Sequence, residues 1–285
     1  MNFFNNWVFY IVLYLIFAVA FNQCYKITTK KMSKAGALTV LMEGMAGLFS
    51  LLLFPLFEIK FPTDIKVYIF LGIAIIFYAI QDRLGTTVRS GIEASTYSII
   101  KQLSTVFMIF AGLLFFKEPF ILNKIIGAFL IVISNILVFY KKGSFKIDKY
   151  IGLGIIANLC FTVALFIDVN YSEQFNLPFY VALTLIIPAL LIFLLERIKP
   201  KDIINEFKNG NKKYILITSL SWGLMLVAQL RAYQLGKVTV VAPLCSLTVI
   251  INVIVGYLFL KERDNLFKKI LASILVIISV ILIRL

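Results

Sequence analysis

Histidine is absent from all 285 residues, and with it goes the commonest ligand for zinc, copper and haem iron and the commonest general base near neutral pH. Cysteine is scarce. Cys24, Cys160 and Cys245 each lie in or beside an apolar run, which argues against a disulfide framework and against a thiolate metal centre. No metal and no cofactor is therefore expected. Charge is thin as well, at 15% of residues, and no stretch stands apart as a soluble basic domain. The net charge of +14 thus has no platform for gripping nucleic acid; it reads as a topology signal and as attraction to anionic lipid. No Lys or Arg precedes the apolar run 8–20 and no clear cleavage site follows it, so the first span is expected to be retained.

What the chain has in abundance is apolar surface: 61% of residues are hydrophobic and the mean hydropathy is +0.97. The apolar material comes in blocks of about 17–25 residues, long enough to cross a hydrocarbon core of about 30 Å as α-helix. Blocks of this length without period-2 alternation exclude a β-barrel. The fold class is an all-α membrane protein, with spans near 7–25, 35–57, 66–84, 92–116, 120–140, 150–170, 178–196, 213–234, 238–260 and 267–284. Ten spans make five per half.

The halves are related. Residues 103–138 read against 247–282 at a constant shift of 144 without a gap, placing Gly112 on Gly256, Phe115 on Phe259, Lys117-Glu118 on Lys261-Glu262, Lys124 on Lys268 and Ala128 on Ala272. Composition alone matches two isoleucine-rich helices, but an apolar run that ends at Lys-Glu and restarts after a fixed gap is a pattern of breaks. The chain divides into a first repeat, 1–142, a linker, 143–149, and a second repeat, 150–285. An odd number of crossings per half inserts the second from the opposite side, so the repeats are expected to have inverted topology, an architecture of secondary transporters whose site lies where the halves meet.

Of the 28 Lys and Arg, 20 lie on the side of loops 1–2, 3–4, 5–6, 7–8 and 9–10, against seven on the other, with Lys101 inside a span. The positive-inside rule puts the first side in the cytoplasm and both termini outside, in a multi-pass protein of the cytoplasmic membrane. The lipid bilayer and a small-molecule substrate are the partners implied; a homodimer is left open.

Candidate site residues are the polar ones at depth. Ser98, Lys101, Gln102 and Thr105 stand at i, i+3, i+4 and i+7, one polar stripe through an apolar helix. Lys101 lies about 15 Å along its span, where a lysine costs roughly 2.5–3.5 kcal/mol unless it pairs or meets water. Glu43 enters from the same side to comparable depth, so the two are read as ion-pair partners or as two poles of one site; the bland alternative is a structural pair that locks two helices. Gln81 and Gln229 can donate and accept without a desolvated charge. Tyr78, Tyr97 and Trp222 share faces with these stripes. In the second half Asn158, Cys245 and Asn252 are the milder counterparts, and Pro243 interrupts helical hydrogen bonding early in span 9. Asp82 and Arg83 read as snorkelling residues at the end of span 3.

The run Arg231-Ala-Tyr-Gln-Leu-Gly-Lys-Val-Thr-Val-Val-Ala-Pro-Leu, followed by Gly256 and Leu260-Lys261-Glu262-Arg263, resembles the second half of an EamA-type member of the drug/metabolite transporter superfamily. Residues 94–136, with Gly112, Lys117-Glu118 and Gly127, resemble the first. Two departures are Lys101-Gln102, where the family often has proline, and Glu43, where arginine is common. The resemblance implies ten helices in inverted repeats and secondary transport of a small polar metabolite or organic molecule (amino acid, amine or drug-like), with export favoured. It also implies cytoplasmic termini; the charge count is followed here instead. The alternatives are a nucleotide-sugar or sugar-phosphate exchanger, with Lys101 and Arg83 on the anion, and a lipid-linked substrate translocase or membrane-embedded enzyme. No catalytic residue is assigned, since no Ser/His set, paired carboxylate or metal cluster stands at depth.

Overall fold

The computed structural model describes residues 6–107, 121–141, 144–145, 149–236, 241 and 244–284. The first apolar block is α1 (Trp7–Thr29), started by Asn6, whose side chain accepts from the Val8 amide. Next come α2 (Ala35–Leu51) and α3 (Ile65–Gly91), the latter capped by Asp64. A short helix, α4 (Ala94–Ile100), gives way at Lys101-Gln102, where the amides of Gln102, Ser104 and Thr105 reach back three residues instead of four; helix resumes over 103–107. The half closes with α5 (Leu122–Phe139) and a two-stranded hairpin, Tyr140–Lys141 paired with Ser144–Phe145.

The second half contains α6 (Lys149–Tyr171), α7 (Leu177–Leu195), the short α8 (Pro200–Asn209) and α9 (Lys212–Leu235). Helix over 244–246 meets a turn at Leu247, whose amide bonds Leu244 at 3.1 Å, and continues as α10 (Thr248–Phe259). The last helix is α11 (Leu266–Arg284). Seven helices, among the described residues, are long and apolar enough to cross a membrane, and shorter apolar helices cover Leu122–Val138 and Leu244–Phe259. This is a multi-pass helical membrane protein. Gly112, Lys117, Glu118 and Pro243 lie outside the described residues.

The boundaries follow the apolar blocks closely except at α3. The expected end near residue 84 is wrong by seven residues: the polar tail Gly85–Gly91 stays helical because it is packed against neighbours. The Thr86 hydroxyl bridges Tyr25 of α1 and Thr39 of α2, at 2.6 Å to each, and Lys26 donates to the Arg89 and Ser90 carbonyls at 2.8 and 3.2 Å. Asp82 and Arg89 are consequently buried, not at an exit.

Helices pair across the halves. The closest associations are α1 with α9, α3 with α6, α5 with α11 and α2 with α7, followed by α2 with α9, α3 with α7 and α4 with α10. Small residues set several of these approaches. A Cβ on Gly223 of α9 would stand 2.5 Å from the Ala46 carbonyl of α2, and one on Gly127 of α5 would stand 2.8 Å from the Ser279 carbonyl of α11.

The loops meet in two sets. Near one end Arg83 pairs with Glu196, Lys34 with Asp202 at 2.8 Å, and Lys269 with Glu93. The Asp202 carboxyl, on α8 outside the spans, is held below its ordinary range chiefly by the Lys34 hydrogen bond. Glu206 accepts from the Ser33 and Lys34 amides at the start of α2. Glu262 does the same for α4, accepting from the Ala94 and Ser95 amides at 2.8 and 3.2 Å. Its chain bends back over Gly256 through a left-handed Lys261 (φ 57°). A Cβ on Gly256 would meet the Glu262 carboxylate at 2.8 Å, so the Gly256 and Glu262 of the repeat motif are two parts of one helix cap. The other set is joined by Asn176, which donates to the carbonyls of Phe54, Phe57 and Glu58 and whose amide bonds Lys60.

Candidate functional site

The break at Lys101-Gln102 opens onto two cavities that share Lys101, Phe161 and Met225 in their walls. The larger, about 90 Å³, is also lined by Ser98, Gln102, Thr105, Gln229 and Cys245. The smaller, about 30 Å³, is bounded by Tyr78, Gln81, Asp82, Arg89, Tyr97 and Trp222. Ten of the residues singled out in the sequence thus meet around one lysine. Lys101 and Cys245, equivalent by the 144-residue shift, are electrostatic neighbours across the α4–α10 crossing. The Lys101 ammonium lies 4.7 Å from the centre of the Phe161 ring.

Three candidates stand apart from these walls. Asn158 donates to the Gly154 carbonyl of its own helix at 2.7 Å. Asn252 is fully buried and accepts from the Gln23 amide at 3.0 Å through its side chain and at 3.1 Å through its carbonyl. Glu43 is fully buried in α2, and its neighbour is the Asp82 carboxyl of α3. The expected Glu43–Lys101 ion pair is not formed, because α2 turns Glu43 toward α3 while Lys101 leaves the break toward α6 and Phe161. Neither Glu43 oxygen meets a donor among the described residues. Two carboxyls in this arrangement can hydrogen-bond only through a proton carried by one of them.

The sequence reading missed Arg89. It was counted as a loop residue, yet it is 5% exposed and lies against three rings, 3.8 Å from the centre of Tyr97, 4.6 Å from Tyr25 and 5.0 Å from Phe21. Its Nε has no partner among the described residues, and one terminal nitrogen reaches Asn22 at only 3.4 Å. The signal was available: Tyr78, Asp82 and Arg89 stand at i, i+4 and i+11, one face of a helix if the helix is allowed to run past residue 84. Phe161, in a phenylalanine-rich sequence, carried no such signal.

Another polar cluster is structural. Asp168 of α6 accepts from the hydroxyls of Tyr78 at 2.5 Å and Tyr180 at 2.7 Å, tying α3, α6 and α7 together. A larger cavity of about 340 Å³ lies toward the Asn176 end, with Phe57, Lys60 and Arg231 in its wall.

A multi-pass helical protein that encloses a charged, aromatic-walled chamber beside an interrupted helix is the class this fold and site define. Residues 148–285 match the model of the EamA-like transporter family. That match covers 138 of the 285 residues and agrees with the resemblance carried by the sequence of the second half. No curated protein matches the chain. Solved structures do: one, described only as "Crystal structure of protein", covers 96% of this chain and 93% of its own length at 11% identity, with a TM-score of 0.56. At that identity the likeness is one of fold.

Proposed function

We propose that this protein is a secondary transporter of the cytoplasmic membrane that moves a small polar metabolite or organic molecule by alternating access, with export as the favoured direction. Its ten spans form two inverted repeats, 1–142 and 150–285, and its substrate occupies the chamber around Lys101. The observation that carries the reading is the crossing of two helices interrupted within two residues of each other under the 144-residue shift, at 101–102 in α4 and at 247 before α10, at the edge of that chamber. Interrupted helices in matching positions of two repeats mark the substrate site of transporters, because backbone freed from the helix can be tolerated at membrane depth only beside protein or a cavity.

The helix pairing supports the repeat reading. Exchanging the halves turns the α1–α9 contact into α6–α3 and the α2–α9 contact into α7–α3, while α2–α7, α4–α10 and α5–α11 map onto themselves. A two-fold axis between the halves requires that pattern. The loop ties support it too, since loops 1–2, 3–4, 7–8 and 9–10 gather in one set and loops 2–3 and 6–7 in the other.

The test is a thermal-shift screen of the purified protein against amino acids, amines, organic acids, nucleosides and sugar phosphates, followed by flux measurements in proteoliposomes with the solute that binds. A solute that binds the folded state raises its melting temperature by mass action. The expected outcome is one responsive chemical class, whose binding weakens at least tenfold in Gln102→Leu. A flat screen with no flux for any class counts against the reading.

A further inference from the structure

Arg89 and Lys101 line the same small cavity, and neither has a carboxylate within 4 Å among the described residues. Both instead face rings: Arg89 is stacked at 3.8 Å on Tyr97, and Lys101 stands over Phe161 at 4.7 Å. A desolvated cation gains less from an aromatic face than it loses on leaving water. The rings therefore offset only part of the cost. The unpartnered Arg89 Nε marks where a further acceptor is owed.

Charge counting narrows that acceptor. Asp82 lines the cavity beside the two cations, and Glu43 stands behind it, carboxyl to carboxyl. Because two adjoining buried carboxyls disfavour a second charge, the pair is counted as one negative charge against the two positive charges of Arg89 and Lys101. One positive charge is left over. A monoanion cancels it, a zwitterion leaves it, and a dianion reverses it. The walls supply the rest of the ligand's description. Tyr97, Trp222 and Phe161 present ring surface to the smaller cavity, while the larger one adds Leu165 together with the amides of Gln102 and Gln229. The smaller cavity suits a charged head group, since about 10–15 Å³ of such space holds one water and this one measures about 30 Å³. The larger receives a body.

We infer that Arg89 and Lys101 form the anion-binding centre of the chamber and that its ligand is a small organic monoanion, a carboxylate on an aromatic or apolar body. The inference rests on the chamber being the transport site, and deepens that reading. Arg89 presents its guanidinium to the carboxylate, a geometry that favours two parallel hydrogen bonds. Lys101 supplies a point charge at the junction with the larger cavity, and Phe161 and Met225 hold the body beyond it.

The experiment uses the purified full-length protein and four probes: phenylacetate, phenethylamine, phenylalanine and glucose 6-phosphate. The first three share a benzyl-type body and differ in charge. Phenylacetate is expected to raise the melting temperature and to bind at least tenfold more tightly than phenethylamine or phenylalanine. Arg89→Gln and Lys101→Met are each expected to weaken phenylacetate at least tenfold. Lys101→Arg keeps the point charge and should retain binding within a few-fold, while Arg89→Lys keeps the charge but not the paired hydrogen bonds and should bind more tightly than Arg89→Gln, which separates loss of the anion from loss of the fold. Preference for phenethylamine, phenylalanine or glucose 6-phosphate overturns the monoanion assignment and leaves the transport site standing. Phenylacetate binding that survives both neutral substitutions moves the anion elsewhere. A protein that binds none of the four overturns the inference, and the broader screen then decides separately whether the chamber binds any solute.

Discussion

Glu43 is acidic, wholly buried and without a donor of its own, so the group it faces decides what a substitution does. Facing Asp82, it can be held only through a proton on one of the two carboxyls; facing Lys101, it would have been held by charge. The two arrangements predict different double-mutant cycles. Glu43→Gln with Asp82→Asn should be strongly non-additive, with a coupling above about 1 kcal/mol, as expected for groups in direct contact. Glu43→Gln with Lys101→Met, whose positions are linked only through Asp82, should show a smaller coupling than the 43–82 pair. Melting or reversible detergent-unfolding measurements on the three single and two double variants check this. A large coupling between positions 43 and 101 would return the ion pair to its sequence-based place. Asp82 and Arg89 teach the complementary lesson: at a helix end a charged side chain reaches water at little cost, but two more helical turns place the same residues in the interior.

At the scale of the element, glycines divide into those that hold two helices together and those that do not. Gly223 leaves α9 close enough to α2 that a Cβ would meet the backbone of Ala46 at 2.5 Å and of Ser50 at 3.4 Å. Backbone cannot move aside as the tip of a side chain can. Gly223→Val should therefore cost about 1–3 kcal/mol, the usual range for overpacking, read as a lowered melting temperature and faster loss of detergent-solubilised protein. Gly72 in α3 has open space where its Cβ would be. Gly72→Ala is expected to be neutral or to gain up to about 1 kcal/mol from helix propensity, and a loss of the size seen at position 223 would mean that α3 is covered there by something else. The Gly256 and Glu262 pair belongs to the same scale: the spacing was visible as a repeat motif, while its work as a cap on α4 needed the fold of both halves.

For the molecule as a whole, the distribution of lysine and arginine sets an orientation that can be measured. Lys30 and Lys201 are exposed in the loop set tied by Lys34–Asp202 and Arg83–Glu196, and Lys66 is exposed near the opposite set. The expected outcome in intact cells is that cysteine at 30 or 201 resists a membrane-impermeant thiol reagent, while cysteine at 66 is labelled, each against the background of the three native cysteines. Labelling at 30 and 201 with protection at 66 would establish the inverse orientation, the one that family habit favours. Either result is compatible with the two-fold helix pairing, because near-equivalent halves fit the bilayer both ways round.

Membrane insertion, helical class and most helix limits were legible in the residues alone, because each depends on a local quantity: the length of an apolar run or the absence of alternation. Most of the chamber was legible as well, since polar residues at helical spacing in an apolar span must face something other than lipid. Partnership was not. That Glu43 meets Asp82 and not Lys101, that α3 continues to Gly91 with Arg89 against Tyr97, and that Lys101 stands beside its repeat counterpart Cys245 all depend on the rotation of each helix about its axis and on the interruption of α4. Those are set by contacts between residues far apart in the chain, whose combined packing energy has no expression in any local stretch of sequence.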